Sequence, residues 1–168
     1  MSSERIQFLK EALQLNKHLE GGYFKEVYRS DEEISKEALP EDFSGSRKFG
    51  TSIYFLLTSS SFSSFHKINQ DETWHFYEGS TIELHTISPD GKHQKIKIGS
   101  NLEKGEVYQF TVPGKHWFAA RIIADESYAL VGCTVAPGFD FDDFTLGKRN
   151  DLIELFQHHR ELVTEFTR

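Results

Sequence analysis

A histidine and a glutamate six positions apart are the residues of this sequence with the clearest capacity for chemistry. His66 lies in a predicted strand, 62–68, and Glu72 comes just before a second predicted strand, 73–77. Residues two apart on a strand point to the same face, so His66 and Ile68 are both predicted to face the interior. Glu72 is predicted to reach them from the partner strand. Because a carboxylate orients an imidazole and stabilises its protonated form, the pair is predicted to be catalytic, with His66 as general base.

Aromatic residues flank this pair and are predicted to form the walls of a cavity. Tyr54, Trp74 and Phe76 are the predicted wall residues. Apolar walls would desolvate both catalytic groups and shift their pKa values. The general acid that would complement the histidine stays open between Tyr54, Tyr77 and Tyr108. The alternative interpretation is a His–Glu pair that only satisfies its own hydrogen bonds in the core.

The cysteine and the adjacent histidines offer less chemistry. Cys133 is the single cysteine, which excludes an intrachain disulfide and a thiolate metal cage. It lies in the apolar run 130–135 and is predicted to be a buried, unreactive thiol. His158 and His159 are neighbours on a predicted helix and point about 100° apart, so they are not expected to hold one metal ion.

The segment 66–79, HKINQDETWHFYEG, resembles the first motif of the cupins. His66, Glu72 and Gly79 stand at the motif's spacings, while Ile68 takes the position of its second histidine. The resemblance implies a small antiparallel β-barrel whose interior this segment lines.

The second cupin motif is only echoed, from Gly105 to Pro113. Its glycine would fall on Lys115 and its final histidine on Phe118. In cupins that bind a metal, three histidines and one glutamate converge on the ion. Ile68 and Phe118 cannot coordinate anything, so no metal and no other cofactor is predicted.

Two further histidines keep a metal-dependent cupin oxygenase or isomerase open as an alternative. His75 is three residues from Glu72, so strand parity predicts that it faces the other side of the sheet. His116 lies in the turn after Gly114, which leaves its direction open.

Three segments in order, 18–30, 65–79 and 131–141, are similar to one family of uncharacterised cupins. The resemblance implies a jelly-roll barrel that dimerises and encloses a pocket, distantly similar to the sugar-nucleotide epimerases of dehydrorhamnose synthesis. That family often has Pro where Leu19 stands and Gln where Phe118 stands. A polar contact in the cavity is therefore expected to be missing here.

The chain is predicted to be a single cupin domain, 1–168, of the mainly β class. Its fold class is a double-stranded β-helix, or jelly-roll barrel, with short N- and C-terminal helices. An apolar stripe from Ile6 to Leu13 predicts the first helix, and a stripe from Leu152 to Phe166, capped by Asn150 or Asp151, predicts the last. The predicted strands between them are 20–28, 53–57, 62–68, 73–77, 81–87, 93–98, 107–112, 117–123 and 128–135.

Charge and composition exclude two classes of partner. The net charge of -7 and the lack of a basic stripe argue against nucleic acid. The pairs Arg47–Lys48 and Lys148–Arg149 are interpreted as solvated loop charges. No apolar run approaches the ~18–20 residues that cross a bilayer, so no membrane is expected. The N-terminus has no signal-peptide pattern, which predicts a cytoplasmic protein.

The predicted function is binding of a small polar molecule, with isomerisation or epimerisation of a sugar or sugar nucleotide without a metal. A non-enzymatic binding or sensing module is the alternative. A homodimer is predicted, because exposed sheet edges are commonly covered by pairing, with the segment 31–50 and the strand 20–28 as candidates for exchange. The segment 31–50 is long enough to act instead as a lid. The predicted catalytic and ligand-binding residues are His66, Glu72, Tyr54, Ile68, Trp74, Phe76 and Phe118.

Overall fold

Short apolar runs separated by polar turns form the strands of this chain. The computed structural model describes residues 2–168, in which thirteen strands and three α-helices occur. The strands are β1 Asn16–Lys17, β2 Tyr23–Arg29, β3 Glu33–Ile34, β4 Arg47–Lys48, β5 Thr51–Thr58, β6 Phe62–Lys67, β7 Asp71–Gly79, β8 Ile82–Ile87, β9 His93–Ile98, β10 Gln109–Val112, β11 Trp117–Ile122, β12 Tyr128–Ala136 and β13 Thr145–Leu146. The helices are α1 Ser2–Ala12, α2 Arg149–Leu155 and α3 Arg160–Glu165.

Two antiparallel sheets pack face to face as a jelly roll. The six-stranded sheet has the order β1-β2-β5-β12-β7-β10, and the five-stranded sheet has the order β13-β6-β11-β8-β9. The chain changes sheet between β5 and β6 and again between β6 and β7, as in double-sheet jelly rolls. The core between the sheets includes Phe55, Leu57, Trp74, Leu84, Phe118 and Val131. The mainly β fold with terminal helices is confirmed, although the two sheets are not joined into one closed barrel.

The helices cover the outer faces of the two sheets. Leu9 of α1 packs on Leu56 and Leu130 of the six-stranded sheet. The C-terminal stripe folds as α2, a 3-10 turn at Gln157–His159 and α3, rather than as one helix. Its apolar side chains pack on the five-stranded sheet, and they are Leu152, Phe156, Val163 and Phe166.

Two predicted boundaries differ from the structure because of local backbone geometry. The cap of α2 is Lys148, not Asn150 or Asp151, because helical hydrogen bonding already begins at Arg149. The strand predicted from residue 20 begins at Tyr23, because the two glycines before it have φ angles of 117° and 74°. Among residues 2–168, no helix combines the length and apolarity that crossing a bilayer requires.

Gly79 of the cupin-like motif ends β7 for a steric reason. Its φ angle is 106°, which L side chains rarely adopt. A Cβ atom at this position would lie 2.2 Å from the carbonyl oxygen of Tyr128 on the neighbouring strand. The close approach of β7 and β12 therefore requires glycine here.

The segment 31–50 folds against the body of the domain, and the interpretation of Arg47 as a solvated charge is wrong. Arg47 is 4% exposed and donates two hydrogen bonds, of 2.7 and 2.8 Å, to the carboxylate of Asp143. Gln70 and Asn69 donate to the same carboxylate, at 2.7 and 3.2 Å. A buried carboxylate needs such a counter-charge, which explains why the arginine turns inward.

Lys148 and Arg149 are exposed, but Arg149 begins α2 rather than lying in a loop, and it donates a hydrogen bond of 3.0 Å to Thr167 Oγ1. Exchange of the segment 31–50 between two copies stays a prediction.

Replacing Arg47 by Met is expected to lower the free energy of unfolding by about 3–5 kcal/mol, because Asp143 would be left as an unpaired buried charge. Urea denaturation followed by circular dichroism measures this loss. Exposed Lys148→Met is the control and should change stability by less than about 0.5 kcal/mol. Equal effects of the two substitutions would contradict a structural role for the buried pair.

Candidate functional site

A cavity opens at one end of the space between the two sheets. Its volume is about 80 Å³, which is below the ~300–1,000 Å³ of sites for drug-sized molecules and fits a small ligand or one end of a larger one. Strands β2, β5, β6, β7 and β12 line it, together with the residues 137–144 after β12. This last segment is called the aromatic loop here, since it contributes Phe139, Phe141 and Phe144 to the wall.

His66 lies at the cavity and is paired with Glu20, not with Glu72. Its Nε2 is 3.0 Å from Oε2 of Glu20, and its Nδ1 is 2.7 Å from the carbonyl oxygen of Ser64. Both partners accept hydrogen bonds, so both ring nitrogens carry a proton and the ring is an imidazolium.

The electrostatics of the pair agree with this protonation state. Burial by itself lowers the pKa of His66, but the carboxylates of Glu20 and Glu72 outweigh it and raise the pKa above its ordinary value. Burial raises the pKa of Glu20, and the charge and hydrogen bond of His66 outweigh it, so that its pKa is lowered. The two residues therefore form a buried ion pair.

His18 completes the environment of Glu20. Its Nδ1 accepts a hydrogen bond of 3.3 Å from the Glu20 backbone N–H and lies 3.4 Å from Glu20 Oε2. Burial lowers the pKa of His18 more than the charge of Glu20 raises it, so the ring is neutral at pH 7. Ser63 Oγ donates to the other carboxylate oxygen of Glu20 at 2.8 Å.

Glu72 is the cavity residue that titrates near neutral pH. Burial, reinforced by the charge of Glu20 and opposed by that of His66, raises its pKa to about 7. The Cys133 thiol lies beside it and is 2% exposed, with a pKa well above its ordinary value because of burial and the neighbouring carboxylates. The prediction of a buried, unreactive thiol is consistent with this position.

Trp74 brings an unused hydrogen-bond donor to the cavity. The side chain is 1% exposed and lines the cavity beside the Glu72 carboxyl. Its Nε1–H makes no hydrogen bond of good geometry within residues 2–168, although it lies near enough to the Glu72 carboxyl to help lower the pKa of that group. Buried donors normally have a partner, so this group is available to an acceptor atom of a ligand.

The mouth of the cavity carries an ion pair that is already satisfied. Arg29 donates two hydrogen bonds to Glu26, of 2.9 and 2.7 Å, and a third of 3.1 Å to the carbonyl oxygen of Phe139. The aromatic loop is thus tied to β2 at the rim and, through Asp143, to the segment 31–50.

The structure brings only some of the predicted ligand-binding residues together. Ile68 and Trp74 line the cavity with His66 and Glu72. Phe118 does not line it and packs on the His66 ring, with centroids 4.0 Å apart.

Tyr54 and Phe76 do not line it. Ile53 and Phe55 face inward from β5, so strand parity turns Tyr54 to the outer face, where it packs on Tyr77. Phe76 has inward parity but lies farther along β7, beside the other end of the core.

The residues present do not fit the metal ion of the cupin motif. His66 has both nitrogens in hydrogen bonds, and Ile68 and Phe118 take the positions of two ligands. His75 faces outward, as parity predicts, and lies 3.1 Å from Thr134 Oγ1, while His116 contacts the carbonyl oxygen of Gly114 at 3.3 Å. Across residues 2–168, no cluster of three His, Cys, Asp or Glu side chains could hold an ion.

Residues 7–147 match the family described as Cupin superfamily (DUF985). The chain belongs to this family. An uncharacterised protein of Saccharomyces cerevisiae is 36% identical over 155 residues, which cover 87% of this chain and 77% of that protein.

Solved structures share this fold. A hypothetical protein from Leishmania major is 34% identical, with a TM-score of 0.87, over 96% of this chain and 97% of that one. A protein from Shewanella oneidensis is 34% identical, with a TM-score of 0.85, over 100% and 98%. Oxalate decarboxylase from Bacillus subtilis shares the fold alone, at 12% identity and a TM-score of 0.55 over 90% of this chain and 36% of that one.

Glu20→Gln and His66→Gln are each expected to cost about 3–5 kcal/mol of stability, because each leaves one buried charge without its partner. The double variant should cost less than the sum of the two, since it leaves no charge behind. Guanidinium denaturation of the four proteins measures the coupling. Glu26→Gln at the exposed rim pair is the control and should cost less than about 1 kcal/mol. Additive losses would contradict the ion pair.

Glu72→Gln is expected to gain stability relative to the native protein as pH rises. The folded protein holds the Glu72 proton with a pKa of about 7 against an ordinary value of 4.5. The stability given by the neutral carboxyl is therefore present below pH 4.5 and is lost as pH rises through 7. Glutamine stays neutral, so its advantage should grow to at most about 3 kcal/mol by pH 8.

Chemical denaturation at pH 5, 6, 7 and 8 measures this difference. Exposed Glu103→Gln is the control and should show a difference that does not change with pH. A pH-independent difference for Glu72→Gln as well would contradict the raised pKa.

Proposed function

We propose that this protein catalyses proton transfer on a small carbonyl compound, as an isomerase or epimerase that needs no metal. The observation that supports this is the Glu72 carboxyl, which lines the cavity with a pKa of about 7. A general acid–base group works best when its pKa lies near the working pH, because both protonation states are then available. Perturbed carboxyls in cavities are candidates for such roles.

In the proposed reaction, Glu72 removes a proton from the carbon next to the carbonyl group. The C–H electron pair becomes the C=C bond of an enolate, and the carbonyl electrons move to its oxygen. Protonation on the opposite face by water from the open mouth, with the Glu72 proton passing to solvent, gives an epimer. When the reacting carbon carries a hydroxyl group, transfer of the hydroxyl proton to the enolate oxygen and of the Glu72 proton to the former carbonyl carbon gives an isomer. The Trp74 N–H and the positive charge of His66 are the groups that would stabilise the enolate oxygen.

The other residues support Glu72 rather than react. His66 has no free lone pair, so it acts through its charge and not as the general base. Glu20 is a positioning residue that keeps this ring protonated and oriented. The high pKa of Cys133 keeps its thiol neutral beside Glu72.

A sugar or sugar nucleotide stays the predicted substrate class from the resemblance to the dehydrorhamnose epimerases. These enzymes give a precedent for such chemistry in a jelly-roll fold, but fold likeness does not fix the substrate.

Deuterium incorporation next to the carbonyl group tests the proposal. Wild-type protein in D2O, with and without EDTA, is incubated with dihydroxyacetone, fructose 6-phosphate, a nucleotide 4-keto sugar and 4-phenylbutan-2-one. Exchange above the buffer rate is expected for at least one compound, unchanged by EDTA. Glu72→Gln should lower the rate by about 10²–10⁴-fold, the typical contribution of a general base. Glu103→Gln is the matched control.

A non-enzymatic binding or sensing module is the second candidate. The loss of two ligand positions to Ile68 and Phe118, and the full hydrogen bonding of His66, favour a cavity that has kept binding without the usual cupin chemistry. Ligand binding without exchange for any compound would favour this candidate. Exchange that EDTA abolishes would instead favour the metal-dependent alternative.

A further inference from the structure

We infer that the cavity takes a flat, mostly apolar molecule, an aromatic or conjugated ring with one carbonyl or carboxyl oxygen at the end that meets Trp74 and Glu72. This inference concerns the same site as the proposed function and names its ligand class. It favours an aryl carbonyl compound over a polyhydroxylated sugar.

The wall of the cavity is dominated by aromatic rings. They come from both ends of the chain and from the middle strands, and they are Phe24, Phe55, Trp74, Phe139, Phe141 and Phe144. Ile53, Ile68 and Val135 complete the apolar surface. Such a surface gains from burying apolar area and offers nothing to a hydroxyl group.

The phenylalanine and tryptophan rings meet one another edge to face, while Phe141 and Phe144 also stack on the rings of His18 and His66, at 22° and 29°. Phe55 and Trp74 meet at 70° with centroids 5.6 Å apart. In the aromatic loop, Phe139 meets Phe141 at 81° and 5.0 Å, and Phe141 meets Phe144 at 71° and 6.1 Å. Aromatic groups prefer to add to such an array by stacking or by edge contact.

Most polar side chains at the cavity are already committed to protein partners. Glu20 and His66 bind each other, and Glu26 and Arg29 bind each other at the mouth. Thr51 Oγ1 accepts the backbone N–H of Phe139. The hydroxyl groups of a sugar would therefore lose their water without finding partners, a cost that rejects such ligands strongly.

The end of the cavity at Trp74 and Glu72 differs, because its polar groups are not fully committed to protein partners. The Trp74 Nε1–H is buried without a hydrogen bond of good geometry among residues 2–168, and the Glu72 carboxyl lies beside it. A single acceptor oxygen on the ligand would satisfy the indole and could also accept the proton of neutral Glu72. His18 Nε2 is a further cavity atom without a hydrogen bond among residues 2–168, so the ligand needs an apolar body with few polar atoms, placed where Trp74, Glu72 and His18 can meet them.

Calorimetric titration with matched probes tests this inference. The probes are 4-phenylbutan-2-one, butylbenzene as its analogue without oxygen, 4-cyclohexylbutan-2-one as its saturated analogue, fructose and UDP-glucose. The aryl ketone is expected to bind most tightly, with fructose and UDP-glucose at least about tenfold weaker. Tighter binding of either sugar compound would overturn the inference.

Two variants separate the ring contacts from the polar end. Trp74→Phe removes the N–H and should reduce the preference for the aryl ketone over butylbenzene by about tenfold, the value of one hydrogen bond to a buried donor. Phe141 is 52% exposed at the mouth, so Phe141→Leu should fold as the native protein does. It should reduce the preference for the aryl ketone over the cyclohexyl ketone by about threefold. Unchanged preferences in both variants would overturn the inference.

The result of these binding measurements can be told apart from the result of the deuterium-exchange test of the proposed function. Binding of the aryl ketone without deuterium exchange would support this ligand class and count against catalysis. Exchange on a sugar that binds more tightly than the aryl ketone would support catalysis and overturn this ligand class.

Discussion

The buried ion pair between Glu20 and His66 is the interaction on which the cavity depends. His66 lies on β6 of the five-stranded sheet, and Glu20 lies just before β2 of the six-stranded sheet, so the pair joins the two sheets. The C-terminal residue Arg168 reinforces it by donating to the Glu20 carbonyl at 2.7 Å and to Ser64 Oγ. An unpaired charge at this depth would be costly, and this fixes the relative position of the elements around the pair.

The properties of Glu72 follow from this pair. The charge of His66 attracts the Glu72 carboxylate and that of Glu20 repels it, and burial outweighs the attraction that remains. The pKa of Glu72 therefore rises while that of Glu20 falls, although both are glutamates in one cavity. Environments that shift the pKa values of two like groups in opposite directions are typical of acid–base sites.

Much of the fold could be predicted from the sequence, because its signals are local. Alternation and turn residues located the strands, and strand parity placed Ile68, Trp74 and His75 correctly. The role of Glu20 could not be predicted in this way, because its partner lies more than forty residues away and is brought to it only by the packing of two sheets. The inward turn of Arg47 has the same cause, since Asp143 is distant in the chain. One sequence signal for this site was nevertheless available in the segment 18–24. His18 and Glu20 stand two residues apart, just before the double glycine.

The titration of Glu72 also sets the charge balance of the cavity. The charges of Glu20 and His66 oppose each other, as do those of Glu26 and Arg29, and below pH 7 the Glu72 carboxyl is mostly neutral. Above pH 7 the Glu72 carboxylate adds one negative charge to the same space. The cavity therefore repels anions more strongly in alkaline solution. A change of pH thus alters which charge state of a ligand the cavity accepts, in addition to the protonation of Glu72.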